Sequence, residues 1–192
     1  MEQKSDLRVT KTRRNIQDTL IRLLSQKDFE SITVQNILDE ALINRTTFYK
    51  YYQDKYNLAD IMIEDLLRDF TTDLKARFST NEDLSVLLRR FYESLLKRRY
   101  RMLALIKVRT PNHYIEDDIR KILKENYCKY IFNSSQIANE MQMSYQSELY
   151  AAIVMASVHW MLELGDEAGI SIIAEHSMYQ TDKMIQAITK LF

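Results

Sequence analysis

Residues 31–58 read SITVQNILDEALINRTTFYKYYQDKYNL, and the placement of the breaks in this stretch decides the fold. Thr33 follows the apolar Ile32 and precedes Val34, Ile37, Leu38 and Ala41. Its hydroxyl is therefore placed to accept from a free backbone N–H in the first turn of a helix. Asn44 stands in the same relation to Arg45, Thr46, Thr47 and Phe48, and Asp54 to Lys55, Tyr56, Asn57 and Leu58. Three caps so close together mark three helix starts. Ile37, Leu38, Ala41 and Ile43 are expected to face inward together with Phe48 and Tyr52, which lie four apart on one helical face. Arg45, Thr46, Tyr49 and Lys50 are then left facing outward. Two short amphipathic helices around a tight break, the second with an exposed polar face, form the layout of a helix-turn-helix.

The exposed residue types suit a DNA duplex. Arg makes bidentate contacts to guanine in the major groove, and Thr meets a thymine methyl or a base edge. Tyr and Lys bond phosphate oxygens. Lys55 adds a charge at the start of the next helix, where free N–H groups favour an anion. The expected DNA-contacting set is Thr33, Gln35, Asn44, Arg45, Thr46, Thr47, Tyr49, Lys50, Tyr51 and Lys55. On spacing alone, an ordinary helical hairpin with a solvated polar face is the alternative.

Thr33 to Leu58 resembles the signature of TetR-family transcriptional regulators. In these a Thr opens the second helix and the recognition helix ends in Tyr-x-x-aromatic. A Lys follows three residues later and a Leu three further on. Here Thr33, Tyr49, Tyr52, Lys55 and Leu58 stand in that register. The resemblance covers about residues 9–69, with the motif at 33–52, and TTFYKYYQDKYNL is also similar to a subset from low-GC Gram-positive bacteria that includes dihydroxyacetone kinase regulators. It implies phosphate anchoring by Thr33, Tyr49 and Lys55, and base reading by Gln35, Arg45, Thr46 and Thr47. One position departs from the family pattern. The turn between the second and third helices usually holds Gly in a left-handed conformation, and this chain has Leu42 there. Either the turn is altered or strain is tolerated.

Composition supports an all-α fold of about nine helices: a three-helix N-terminal domain (1–53) and a larger helical bundle domain (54–192). Two Gly and one Pro in 192 residues leave few helix breakers, and no stretch alternates convincingly with period two. The expected helices span about 8–26, 33–40, 44–51, 54–78, 82–98, 100–109, 114–133, 145–164 and 170–190. Ile16, Leu20, Leu23 and Leu24 should pack inward from the first, and Ile63, Leu67, Phe70, Leu74 and Phe78 follow helical spacing in the fourth. The sixth should stop before Pro111, and a polar passage, SSQIANEMQMS, should precede the eighth.

Formal net charge is zero, so placement rather than total charge must serve DNA. Residues 1–55 hold ten basic against eight acidic side chains, with Arg8, Lys11, Arg13 and Arg14 near the first helix. Modest nonspecific affinity, lost steeply with salt, is the expected result. A second basic span, residues 89–109, reads as a solvated helical face, with an anionic effector or DNA phosphate as the sharper alternatives.

The C-terminal helices suggest self-association. Ala151, Met155, Val158 and Leu162 form an apolar stripe, repeated by Met184 and Ile188, and two such helices can pair with their copies; on periodicity alone the stripes equally close the monomer's own core. HWMLELGDEAGIS (159–171) resembles the Trp-containing passage that precedes the last helix of TetR-like proteins. The resemblance implies a homodimer through the last two helices, a palindromic operator, repression, and release by a small-molecule effector. Candidate pocket residues are Phe91, Tyr92, Leu95, Met102, Ile106, Tyr114, Tyr127 and Tyr130; on periodicity alone each is equally a core residue.

Other functions find little support. His113, His159 and His176 lie in no metal-ligand spacing, and neither a GxSxG nor a phosphate-binding Gly loop is present. No enzyme activity, metal or cofactor is expected. The N-terminus is polar, no apolar run is long enough to cross a bilayer, and the single Cys128 excludes an intramolecular disulfide, so a cytoplasmic location without a membrane partner is expected. The competing non-enzyme role is a co-activator or adaptor that uses the helix-turn-helix for protein interaction.

Overall fold

The computed structural model describes residues 2–79, 83–133 and 140–165, together with Ile172, His176, Ser177, Tyr179, Gln180 and Lys183. Eight α-helices follow in order among them: α1 (Glu2–Leu24), α2 (Val34–Ala41), α3 (Arg45–Tyr49), α4 (Lys55–Ser79), α5 (Leu84–Lys97), α6 (Arg99–Leu105), α7 (Ile115–Asn133) and α8 (Glu140–Leu164). A 3-10 turn, Phe29–Ser31, follows α1, and the β-type pairing among the described residues is one isolated bridge between Arg109 and Tyr114. The fold is all-α. The expected ninth helix falls almost wholly outside the described residues.

The chain divides into two compact units, Met1–Leu66 with Tyr100–Ile115, and Leu67–Arg99 with Glu116–Phe192. This division assigns α6 and the loop after it to the unit that holds α1–α3, which a single cut at residue 53 does not. In the first unit Ile16, Leu20 and Leu23 of α1 are buried with Ile32, Ile37, Leu38, Ala41, Phe48, Tyr52, Leu58 and Met62. Leu24 is half-buried. The α6 loop is held on α4 by Asn112, whose Nδ2 donates to Asp60 Oδ2 at 2.7 Å, and by Arg101, whose Nη2 donates to the Met62 carbonyl at 3.4 Å.

In the second unit Phe70 meets Phe91 edge-on at 5.5 Å, and Tyr127 stacks on Tyr150 at 4.9 Å. Ile63, Leu67, Phe70 and Leu74 of α4 are buried as their spacing requires, each in its own unit; Phe78 lies outside the described side chains. Arg99 closes the end of α8, donating from Nε to the Leu162 carbonyl at 2.7 Å and from Nη2 to the Glu163 carbonyl at 3.2 Å. This satisfies carbonyls that have no partner in the helix.

Three expectations need correction. First, α6 ends at Leu105 rather than near 109, because Thr110, Pro111, Asn112 and His113 form a turn. The Thr110 amide donates to the His113 carbonyl at 3.0 Å, and the Thr110 hydroxyl accepts from the amides of Asn112 and His113. Pro in second place and Asn in third suit such a turn.

Second, α8 begins at Glu140 rather than near 145 and takes in the last five residues of the polar passage expected to precede it. Its Glu, Met and Gln are polar or flexible, yet good helix formers. Third, Ala151, Met155, Val158 and Leu162 are buried within the single chain, so they do not offer a dimer surface. α8 is apolar nearly all round, and these four residues lie on its inner face. Its outer face carries Met141, Tyr145, Ala152, Ala156 and Trp160. Met184 and Ile188 lie outside the described residues.

Candidate nucleic-acid interface

The first cap is reciprocal. The Thr33 hydroxyl accepts from the Asn36 amide at 3.2 Å while Asn36 Oδ1 accepts from the Thr33 amide at 3.0 Å, forming a capping box. Lys27 Nζ also donates to Asn36 Oδ1, at 3.0 Å. Because Thr33 serves the cap as an acceptor, its hydroxyl proton is left for an outside oxygen.

α2 ends at Leu42, whose φ of 53° and ψ of 45° are left-handed. The amides of Leu42 and Ile43 both donate to the Leu38 carbonyl, closing the turn. The turn thus keeps the left-handed geometry that favours Gly and carries Leu in it, with the residue 89% exposed. Asn15 of α1 donates to the Ala41 carbonyl at 2.8 Å and fastens the end of α2.

α3 starts at its own cap, where Asn44 Oδ1 accepts from the Thr47 amide at 2.8 Å. It is shorter than expected, ending at Tyr49. Phe48 is fully buried and packs on Tyr52 at 5.7 Å. Gln17 Nε2 donates to the Tyr52 hydroxyl at 3.4 Å. That inner seam turns the other face outward: Arg45, Thr46, Tyr49 and Lys50 are exposed, Thr47 and Tyr51 half-buried.

On the same surface, Arg45 Nη2 donates to Gln35 Oε1 at 3.1 Å, and Gln35 Nε2 donates to Asp39 Oδ1 at 2.7 Å. The third cap is Asp54, whose Oδ1 accepts from the Asn57 amide at 2.7 Å.

Lys55 differs from its neighbours. Its Nζ donates to the carbonyls of Phe29 and Glu30 at 2.9 and 3.0 Å, and lies 4.8 Å from the Phe29 ring centre. Two of its three ammonium protons are engaged, so it ties α4 to the 3-10 turn and has one donor left for a phosphate. Beside it, Tyr56 donates to Glu30 at 3.2 Å. Burial, and then the Glu30 carboxylate, raise the Tyr56 hydroxyl above its ordinary pKa.

The basic span 89–109 is substantially committed to structure. Besides Arg99 and Arg101, Arg98 bonds Asp73 at 2.9 Å and pairs with Asp69 at 3.5 Å, and Arg109 lies 4.1 Å over the Tyr114 ring.

The candidate effector residues divide. Phe91, Tyr92, Leu95 and Tyr127 are buried in the second unit. Met102, buried, and Ile106 and Tyr114, half-buried, belong to the first. Tyr130 lies outside the described side chains. Sequence reasoning misses Gln146, which is 3% exposed in the second unit with no hydrogen-bond partner for its Oε1 among the described residues. Its one signal is a polar side chain one turn before the inward Tyr150. Asn126, buried on α7, turns its amide back to the Ile122 carbonyl at 2.8 Å.

Residues 16–61 match the model of bacterial regulatory proteins of the tetR family. Over that segment the chain resembles TetR-family regulators. An uncharacterized HTH-type transcriptional regulator, YxbF of Bacillus subtilis (strain 168), is 33% identical over 69 residues, a match that spans 36% of this chain and 18% of that protein. Among solved structures, the dihydroxyacetone kinase operon activator DhaS aligns with a TM-score of 0.59 and 17% identity, over 94% of this chain and 97% of its own. A SmeT–triclosan complex aligns at 0.64 and 15%, over 88% and 90%. A gamma-butyrolactone receptor, an ArpA-like protein, aligns at 0.57 and 17%, over 91% and 99%. These likenesses extend the shared fold well beyond the matched N-terminal segment.

Proposed function

We propose that this regulator binds a palindromic operator as a homodimer, acts as a repressor, and is released by a small-molecule effector. The single observation that carries the reading is α3: a capped helix, seated by Phe48 and Tyr52, that presents Arg45, Thr46, Tyr49 and Lys50 to solvent. In this reading residues 1–53 read the DNA and 54–192 hold the effector and pair the copies. Phosphates are met by Thr33, Tyr49, Lys50 and the remaining donor of Lys55. The outer face of α8, with Tyr145, Ala152, Ala156 and Trp160, replaces the inner stripe as the proposed dimer surface.

Effector binding is supported by fold neighbours that hold triclosan or receive a butyrolactone, and by the unpartnered oxygen of Gln146 inside the second unit. The effector must favour a state whose two reading heads are wrongly spaced, since only differential affinity shifts an equilibrium. No described helix is long and apolar enough to cross a membrane, and a regulator that reads operators belongs in the cytoplasm.

The test is selection of binding sites from a random DNA pool, combined with light scattering. A palindromic consensus bound by a dimer, weakened by Arg45→Ala and Tyr49→Phe, is the expected result. A monomer at micromolar concentration that selects no site refutes it. One finding favours a second reading, a co-activator or adaptor: the aligned DhaS structure is that of an operon activator. Retention of DNA only when a partner protein is added would establish that role instead.

A further inference from the structure

We infer that Gln35 is a positioning residue for Arg45, and that Asp39 holds Gln35 in the orientation this requires. The inference rests on α3 being the base-reading helix and changes what α2 contributes to it. Gln35 and Asp39 lie one turn apart on α2, and Arg45 opens α3 across the left-handed turn. Gln35 Oε1 accepts from Arg45 Nη2 at 3.1 Å, and Gln35 Nε2 donates to Asp39 Oδ1 at 2.7 Å.

The direction of this chain follows from the groups themselves. A guanidinium is purely a donor and an ionised carboxylate purely an acceptor, so an amide between them satisfies both in one of its two flips. That flip puts the oxygen toward Arg45.

A Gln that reads adenine needs its oxygen and nitrogen together on the base edge. Here each is already engaged by a neighbouring side chain. Arg45, by contrast, keeps further N–H groups after giving one to Gln35, enough for the two acceptors of a guanine. A carboxylate at Asp39 near phosphate is electrostatically unfavourable for DNA binding, and orienting Gln35 supplies the reason for its presence. All three side chains are exposed, so the chain adds little to folding. Its effect lies in restraining a long Arg before DNA arrives, and loss of that restraint should weaken binding about two- to tenfold.

The experiment uses the full chain on the DNA site selected from the random pool, with every base pair of the site varied in turn. Gln35→Ala should lower affinity about two- to tenfold and relax discrimination at the guanine lost in Arg45→Ala, with no further loss in the Arg45→Ala background. Q35E/D39N preserves net charge and reverses the donor and acceptor between the two positions while leaving an acceptor for Arg45. It should restore affinity to within about twofold of the parent. Thermal unfolding of each variant should match the parent.

The inference is overturned if Gln35→Ala costs as much with Arg45 absent as with it present, or if it relaxes a different base pair, because Gln35 then reads a base itself. It is also overturned if Q35E/D39N binds no better than Gln35→Ala. A parent protein that selects no site at all removes the DNA-reading proposal as well, and so is distinguishable from either result.

Discussion

Leu42 allows backbone strain to be measured apart from side-chain contact. A left-handed conformation costs an L-residue about 1–2 kcal/mol, and Leu42 adopts it at φ 53°. With the residue 89% exposed, burial returns almost nothing. Leu42→Gly removes the strain but adds the larger folding entropy of Gly, about 0.5–1 kcal/mol. The difference leaves a net stabilisation of about 0.5–1 kcal/mol. Leu42→Asn should gain about half of that, since Asn enters this region more readily. Leu42→Ala keeps the strain and loses no packing, so it should fall within about 0.5 kcal/mol of the parent. Equilibrium unfolding in urea, followed by far-UV circular dichroism and compared at equal slope, measures all three. Loss of more than about 1 kcal/mol in Leu42→Ala would refute the reasoning, because the side chain would then be packed. So would destabilisation by Leu42→Gly, because the turn would then not be left-handed.

Three further outcomes follow from the packing and the caps. Phe48→Ala empties a fully buried site beneath α3 and should cost about 3–5 kcal/mol; a loss under about 1 kcal/mol in urea unfolding would mean α3 is not seated there. Gly165→Ala meets a φ of 77° and brings the new methyl to 3.1 Å from Arg99 Cζ, displacing the guanidinium that closes α8. About 2–4 kcal/mol should be lost, against little change for Lys121→Gln on the exposed face of α7. The Asp83 carboxyl is held below its ordinary pKa by hydrogen bonds from the Ser85 hydroxyl and then the Ser85 amide. A depressed pKa in the folded state stabilises at neutral pH, and the contribution fades as pH falls through that depressed value. Ser85→Ala should move the Asp83 titration upward in carbon-detected NMR, and an unchanged midpoint would contradict the assignment.

The helix-turn-helix is legible in the sequence because its determinants are local. Thr33, Asn44 and Asp54 each cap within three residues of themselves, and the pair Phe48 and Tyr52 announces its buried face by spacing alone. Leu42 stands out as the anomalous position, but whether the turn bends or bears the strain depends on the closing bonds to Leu38. The stripe on α8 misleads because a helix apolar on nearly every side gives periodicity no contrast, so its inner and outer faces look alike. α6 is shorter than Pro111 alone implies, because Thr110 begins the turn with its hydroxyl. Lys55 reads as a phosphate ligand from its place at a helix start, and nothing in the sequence reveals the carbonyls of Phe29 and Glu30, whose chain positions are remote. Gln146 stays hidden for a related reason: its partner, or the lack of one, is a property of the packed unit.

The unit that carries α3 is assembled from two separated pieces of chain, Met1–Leu66 and Tyr100–Ile115. Asn112 on Asp60 and Arg101 on the Met62 carbonyl fasten the second piece to the first. A fragment ending near residue 53 would omit Leu58, Ala59, Met62 and Ile63, all buried, along with everything that packs on them. Such a truncation should be a poor surrogate for the folded unit. Chimaeras that transplant α3 together with its support should carry both pieces, since a graft of the first alone would leave Asp60 facing a foreign loop.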